Sequence, residues 1–292
     1  MEARDLSSGL LELIRLTSTD LPAAVENRLR SAWQNEEDGS AAKKTLETIL
    51  QNIKLARQRS LPICQDTGTP IFFVLRPAAW SERQLTGQIR EAVAEATRRS
   101  WLRPNAVNPL NGKNSGDNLG DEHFPSIYYQ ESENDELVID LMLKGGGCEN
   151  VSSQYSLPDE ELKAGRDLEG VRKTVAHAVW KAQGEGCAPG YLGIAVGGDR
   201  ASSHLAAKQA LLQSIDETNA QPRLAELEKQ ITEDANRLGI GPMGLGGKTT
   251  LLGARVTATQ RIPASYFVSI AYMCWAYRRR RMILKDGQIR YE

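Results

Sequence analysis

Four cysteines, at positions 64, 148, 187 and 274, are the side chains of this sequence best suited to hold a metal or to act as nucleophiles. None forms a C-x-x-C pair, so no zinc knuckle or ferredoxin-type site is readable from local spacing. By frequency alone each is a small buried hydrophobe. Their settings point the other way. Cys64 opens the polar turn Cys-Gln-Asp-Thr-Gly, and Cys148 closes a run of three glycines. Cys187 opens Cys-Ala-Pro-Gly-Tyr, and Cys274 stands beside Trp275 at the end of an apolar run. A cysteine in a polar turn is placed for reactivity or ligation more often than for packing. The histidines, His123, His177 and His204, show no ligand spacing. His177 and His204 fall on predicted helices and read as structural, whereas His123, in the polar segment Gly120-Asp-Glu-His-Phe, fits either role.

Glycine-rich turns form the second candidate chemistry. Lys144-Gly-Gly-Gly147, Gly197-Gly198-Asp199-Arg200 and the stretch from Gly239 to Lys248 can each bring bare backbone N–H groups against an anion. For any single turn the plain alternative is a tight bend. The last one ends Gly247-Lys248-Thr249, as a phosphate-binding loop does. That motif requires a glycine five residues before Gly247, where Pro242 stands. A phosphate- or nucleotide-binding module is thus the weaker reading. The run Arg278–Arg281 reads as a solvated or subunit-contact patch, since four charges are too few for nucleic acid.

The elements that must position these groups alternate. The first 60 residues read as helical, with Ser40 capping a helix whose Leu46, Ile49, Leu50 and Ile53 share a face and which stops at Pro62. Ile71–Leu75 predicts a buried strand, and Ser81 a helix ending near Pro104. Asn105–Phe124 has no periodicity, and so long a loop in a compact protein tends to be functional. A strand follows over Glu136–Leu143, a helix over Leu168–Val179, a strand over Tyr191–Val196, and a helix capped by Ser202 or Ser203. The helix Pro222–Leu238 ends at Gly239, and strands follow over Thr250–Ala258 and Tyr266–Met273. This alternation predicts an α/β architecture. No linker or repeat divides it, so residues 1–292 are expected to form one domain.

Composition narrows the class. The 292 residues carry 36 Lys and Arg against 37 Asp and Glu, a net charge of −1. Such balance makes no case for nucleic acid or an acidic membrane. No apolar run reaches the roughly 18 residues of a membrane span. Met1–Asp5 lacks a signal-peptide pattern. Four cysteines are too sparse for a disulfide scaffold, which favours a reducing cytoplasm.

Six motifs together resemble the iron–sulfur hydro-lyases, the class I fumarate hydratases and L(+)-tartrate dehydratases. They are Cys64–Gly68, Asn114–Asn118, Lys144–Gly147, Cys187-Ala-Pro, Leu238–Lys248 and Cys274-Trp-Ala, in family order from about residue 45 to 281. The resemblance implies mixed sheets with flanking helices, like the N-terminal domain of a single-chain class I fumarase or the alpha subunit of a two-subunit member. It implies that Cys64, Cys187 and Cys274 hold a 4Fe-4S cluster with one iron not ligated by cysteine, and that Cys148 is not a ligand. Gln65 and Asp66 would be catalytic and, with Arg103 and Gly147, would bind a small dicarboxylate; Gly246 and Gly247 would approach the cluster. The implied reaction is reversible hydration of fumarate to L-malate, with dehydration of tartrate to oxaloacetate as the alternative. Many relatives carry a His where Ile262 stands, so either a neighbour such as Arg261 replaces its substrate contact or the substrate differs. A beta subunit is expected to complete the active site, in an α2β2 assembly.

Overall fold

The computed structural model describes residues 5–121 and 123–292; Met1–Arg4 and Glu122, touched by the readings of the N-terminus and of Gly120–Phe124, lie outside them. In chain order the elements are α1 (Ser7–Thr19), α2 (Ala23–Asn35), α3 (Ala41–Arg59), β1 (Thr69–Pro77), α4 (Glu82–Arg98), β2 (Ser126–Ser132), β3 (Leu137–Lys144), α5 (Gly146–Asn150) and β4 (Ser153–Ser156). They continue with α6 (Leu168–Ala182), β5 (Gly190–Val196), α7 (Arg200–Ala210), α8 (Pro222–Arg237), a 3-10 turn (Pro242–Gly244), β6 (Leu251–Ala258), β7 (Phe267–Met273), β8 (Arg279–Lys285) and β9 (Gln288–Tyr291). The expected mixed α/β architecture, with mixed sheets and flanking helices, is observed.

The chain divides into two compact units. The first comprises Met1–Pro22, Gln51–Gly146 and Arg278–Glu292. Its sheet has the order β2-β1-β3-β8-β9, with β1 parallel to β2 and antiparallel to β3. The apolar run Ile71–Val74 is buried; β1 is flanked on both edges, and its Phe72 and Val74 share a core with α1 and α4. Leu10, Leu13 and Ile14 of α1 and Ile89 and Val93 of α4 meet Phe72, Ile139 and Leu141 in one core. The Ser81 hydroxyl accepts from Gln84 N–H and starts α4 where the sequence places the cap.

The second unit comprises Ala23–Leu50 and Gly147–Tyr277. Its sheet has the order β4-β7-β5-β6, with β5 buried along its whole length. Val171 and Val175 of α6 and Leu227 and Ile231 of α8 pack on Leu192, Ile194, Val256 and Ile270. At about 1.5–3 kcal/mol for each fully buried aliphatic side chain, each unit has a core large enough to hold its own turns in place.

Three local expectations change. α7 is capped by Asp199, not Ser202 or Ser203: its carboxylate accepts from the N–H groups of Ala201 and Ser202, and Ser202 completes a capping box. Arg279–Arg281 begin β8 instead of forming a solvated patch; Arg281 pairs with Asp140 at 2.7 Å and Arg280 with Asp20 at 3.5 Å. Strands β2, β4, β8 and β9 are absent from the sequence reading, because short or charge-rich strands carry little alternation. The described residues of 105–124 do lack regular structure apart from an isolated bridge between Val107 and Asn114. Among the described residues no helix is long and apolar enough to cross a membrane.

Candidate functional site

The first unit gathers four separate stretches around the turn that precedes β1. Cys64 opens it and is half-buried, while Gln65 and Asp66 are exposed. The Asp66 carboxylate is held by backbone: Oδ1 accepts from Gly68 N–H at 2.9 Å and Oδ2 from Gly146 N–H at 2.7 Å. Close approach explains the glycines here. A Cβ on Gly145 would lie 2.7 Å from Asp66 Oδ2, and one on Gly68 would lie 2.7–2.9 Å from the Lys144 backbone. Gly145, Gly146 and Gly147 do not have positive φ, whereas Gly197 and Gly198 do.

Arg103 sits beside the same turn. Its N–H donates to Thr67 Oγ1 at 3.0 Å, and its Nη1 donates to the Gln65 carbonyl at 3.3 Å. Thr67 is fully buried and also accepts from Asn105 Nδ2 at 3.2 Å. Asn118, buried with φ +65°, accepts from Asn105 N–H at 3.1 Å. The Asn114–Asn118 motif thus steadies the segment that carries Arg103. Within it Asp117 accepts from Leu119 N–H at 3.0 Å, and that bond, more than its link to Ser115, holds its carboxyl below the usual carboxylate range. Other described residues of 105–124 are tied by side chain to backbone, as where Asn114 Nδ2 donates to the Pro104 carbonyl at 2.7 Å, and they line a groove of about 470 Å³.

Sequence reasoning missed Arg278. It is 1 % exposed, and its Nη1 donates to the Asp66 carbonyl at 2.7 Å. The only signal was its place in a basic run, which ordinarily means solvent.

The second unit brings Cys187 and Cys274 onto neighbouring turns, where Trp275 N–H donates to the Cys187 carbonyl at 3.2 Å. Cys187 has φ +53°, a conformation that costs a non-glycine residue energy and is retained where the side chain matters. The Cys187 turn packs on Tyr272 of β7: a Cβ at Gly186 or Gly190 would approach that ring to 2.5 or 2.4 Å. Burial first, and then the nearby Cys274, Cys148 and Cys187, push the Tyr272 phenol far above its ordinary value, so it stays neutral. Cys148 is buried in α5, and the neighbouring Gly147 would bring a Cβ within 3.2 Å of the Glu185 carbonyl. No cysteine is in a disulfide, and among the described residues no three His, Cys, Asp or Glu side chains converge to hold a metal ion.

The Gly-Gly-Lys-Thr turn of this unit already holds an anion. Glu36, 5 % exposed, accepts from Lys248 N–H and Thr249 N–H, both at 2.9 Å, through Oε1. A Cβ on Gly247 would come within 3.1 Å of Glu36 Oε2. The phosphate-loop reading falls because the protein's own carboxylate occupies the nest. Ile262 is exposed, and Arg261 Nη1 donates to three carbonyls of its own loop, so Arg261 serves that loop. His177 Nδ1 bonds the Tyr155 hydroxyl at 3.0 Å, in keeping with a structural role; His123 is exposed.

The family model described as fumarate hydratase (Fumerase) matches residues 8–283. The chain belongs to the fumarate hydratase family. It is 48% identical over 277 residues to a Geobacillus stearothermophilus protein named "Putative fumarate hydratase class I", covering 94% of this chain and 54% of that one. It is 37% identical to the "Putative L(+)-tartrate dehydratase subunit alpha" of Methanocaldococcus jannaschii, covering 94% of this chain and 95% of the relative. It is 30% identical to the L(+)-tartrate dehydratase subunit alpha of Escherichia coli K12, covering 92% and 87% respectively. This fumarate hydratase family chain therefore spans about half of its class I relative and nearly all of the two named as alpha subunits.

Proposed function

We propose that this chain is the alpha subunit of an iron–sulfur hydro-lyase that reversibly adds water to fumarate, giving L-malate, with one carbon gaining the hydroxyl and its neighbour the proton. The observation that carries the reading is the Asp66 turn. It holds an exposed carboxylate on two backbone amides, beside exposed Gln65 and Arg103 and two residues after Cys64. Such pre-set geometry suits a group that must meet a fixed substrate without reorganising.

Cys64, Cys187 and Cys274 hold a 4Fe-4S cluster in this reading, and residues 1–292 act as one cluster-binding domain of the class I fumarase type. The donor chemistry fits: each thiol stands in a turn or at a strand end, and none is spent in a disulfide. An iron free of thiolate supplies a Lewis acid toward a substrate hydroxyl. Asp66 moves the proton, Gln65 hydrogen-bonds the substrate, Arg103 takes a carboxylate with its paired donors, and Gly147 lines the ligand with bare backbone. A beta subunit in an α2β2 assembly contributes the remaining acid–base and carboxylate-binding groups; the two relatives named as alpha subunits support this. A reducing cytoplasm suits thiol ligands. Those same names support L(+)-tartrate as the second substrate reading.

Anaerobic reconstitution with iron and sulfide tests the proposal. About four irons are expected per chain, and Cys64→Ser, Cys187→Ser or Cys274→Ser should lose them and the visible absorbance. Cys148→Ser should keep them. The chain is then assayed with its beta subunit on fumarate and on L(+)-tartrate. Equal iron loss from all four variants overturns the ligand set, and failure both to hydrate fumarate and to dehydrate L(+)-tartrate overturns the activity.

A further inference from the structure

Arg278 is a buried cation with few partners. Its backbone carbonyl accepts from Leu143 N–H at 3.0 Å, just before β8 begins, so its Cα is set by the sheet. Its side chain runs inward to the Asp66 turn, where Nη1 donates to the Asp66 carbonyl at 2.7 Å. Its Nε is buried and meets no hydrogen-bond partner among the described residues. Its Nη2 would stand 3.7 Å from a Cβ at Gly145, the residue that already crowds Asp66 Oδ2. A guanidinium in this state costs desolvation that one carbonyl only partly offsets, and an apolar chain of the same length would fill the volume without that penalty. Volume alone therefore does not account for it.

We propose that Arg278 is a positioning residue for Asp66. Its hydrogen bond fixes the carbonyl of Asp66, and with it the start of the side chain, while the amides of Gly68 and Gly146 fix the two carboxylate oxygens. Three points, one at an end of each of β1, β3 and β8, then define where the carboxylate faces. Without the Arg278 bond the peptide following Asp66 can rotate, and the carboxylate loses its register with Gly146. The catalytic consequence rests on the reading that Asp66 acts on substrate; the positioning itself does not.

The test uses the full chain, first without cluster, by hydrogen–deuterium exchange on Arg278→Met and Arg278→Lys. In Arg278→Met the amides of Gly68 and Gly146 should exchange at least about tenfold faster, while those of β3 and β8 keep their wild-type rates. Arg278→Lys retains one donor and should recover part of the protection. In the reconstituted enzyme with its beta subunit, Arg278→Met should lower kcat by about tenfold or more with KM little changed. Unaltered exchange at Gly68 and Gly146 overturns the proposal, as does acceleration shared equally with β3 and β8, which would mark a loosened sheet. If exchange responds as expected but Asp66→Asn retains full activity, the positioning stands and the reading of Asp66 as a catalytic group falls.

Discussion

The turns at Gly145–Gly146 and at Gly247–Thr249 use one device, glycine-bared backbone amides closing on a carboxylate, and put it to different ends. In the first unit the carboxylate is Asp66, exposed, with one amide on each oxygen. In the second it is Glu36, 5 % exposed, with the Lys248 amide shared between both oxygens and the Thr249 amide on Oε1. An amide-bound carboxylate that water can reach keeps lone pairs for a substrate. One that is covered satisfies N–H groups that would otherwise be left wanting. The glycine pattern is common to both; burial of the carboxylate separates one that water can reach from one that is sealed.

The largest effect should follow from Asp66→Asn. Loss of a positioned proton-transfer group costs about 10²–10⁴-fold in kcat. Because Asp66 is exposed, water can replace the lost contact, and melting should move by no more than about 2 °C. A thermal melt beside a steady-state assay checks both. A large stability loss with activity intact would erase the distinction between the two turns.

Glu36→Ala should show the opposite balance. It leaves the Lys248 and Thr249 amides without their acceptor and should cost about 1–3 kcal/mol in urea unfolding. Turnover per folded molecule should change by less than about threefold. Glu36→Gln keeps an oxygen at the Oε1 position and should recover much of the stability. If Glu36→Ala instead abolishes turnover while the fold holds, the second turn is also part of the working site.

A smaller effect contrasts both turns with a carboxylate held by a side chain. Asp234 of α8 accepts from Arg172 of α6, with Nη2 at 3.1 Å, and this bond first of all draws the Asp234 carboxyl below its ordinary value. A lowered folded-state value adds stability above the unfolded value, about pH 4, and loses it as pH falls through the folded one. Wild type should exceed Asp234→Asn by about 0.5–1 kcal/mol at pH 7, with the gap closing as pH falls below the unfolded value. A gap that stays constant with pH would assign the effect to packing.

Much of the candidate site was legible in local sequence. Cys64, Gln65 and Asp66 lie in one polar turn, the glycines at 145–147 mark a strand end, and Ser81 and Gly239 mark helix ends. These features act over a few residues, so pattern alone exposes them. Arg278 was not legible. A basic run reads as solvent-facing until a sheet register carries one member inward, and that register, Met142 opposite Arg279, joins segments more than a hundred residues apart. Glu36 was hidden for the same reason, since its partners lie at 248 and 249.

The sequence by itself determined the alternation of strands and helices, the ordered motifs that mark the family, and the residue types able to bind iron and move a proton. Tertiary structure decided which carboxylate stays in water and which is sealed, which arginine is buried, and that the Gly-Gly-Lys-Thr turn holds the protein's own anion. The reason is physical. Propensity and spacing are set by neighbours along the chain, whereas burial and hydrogen-bond partnership are set by whatever residues the fold brings into the space beside them.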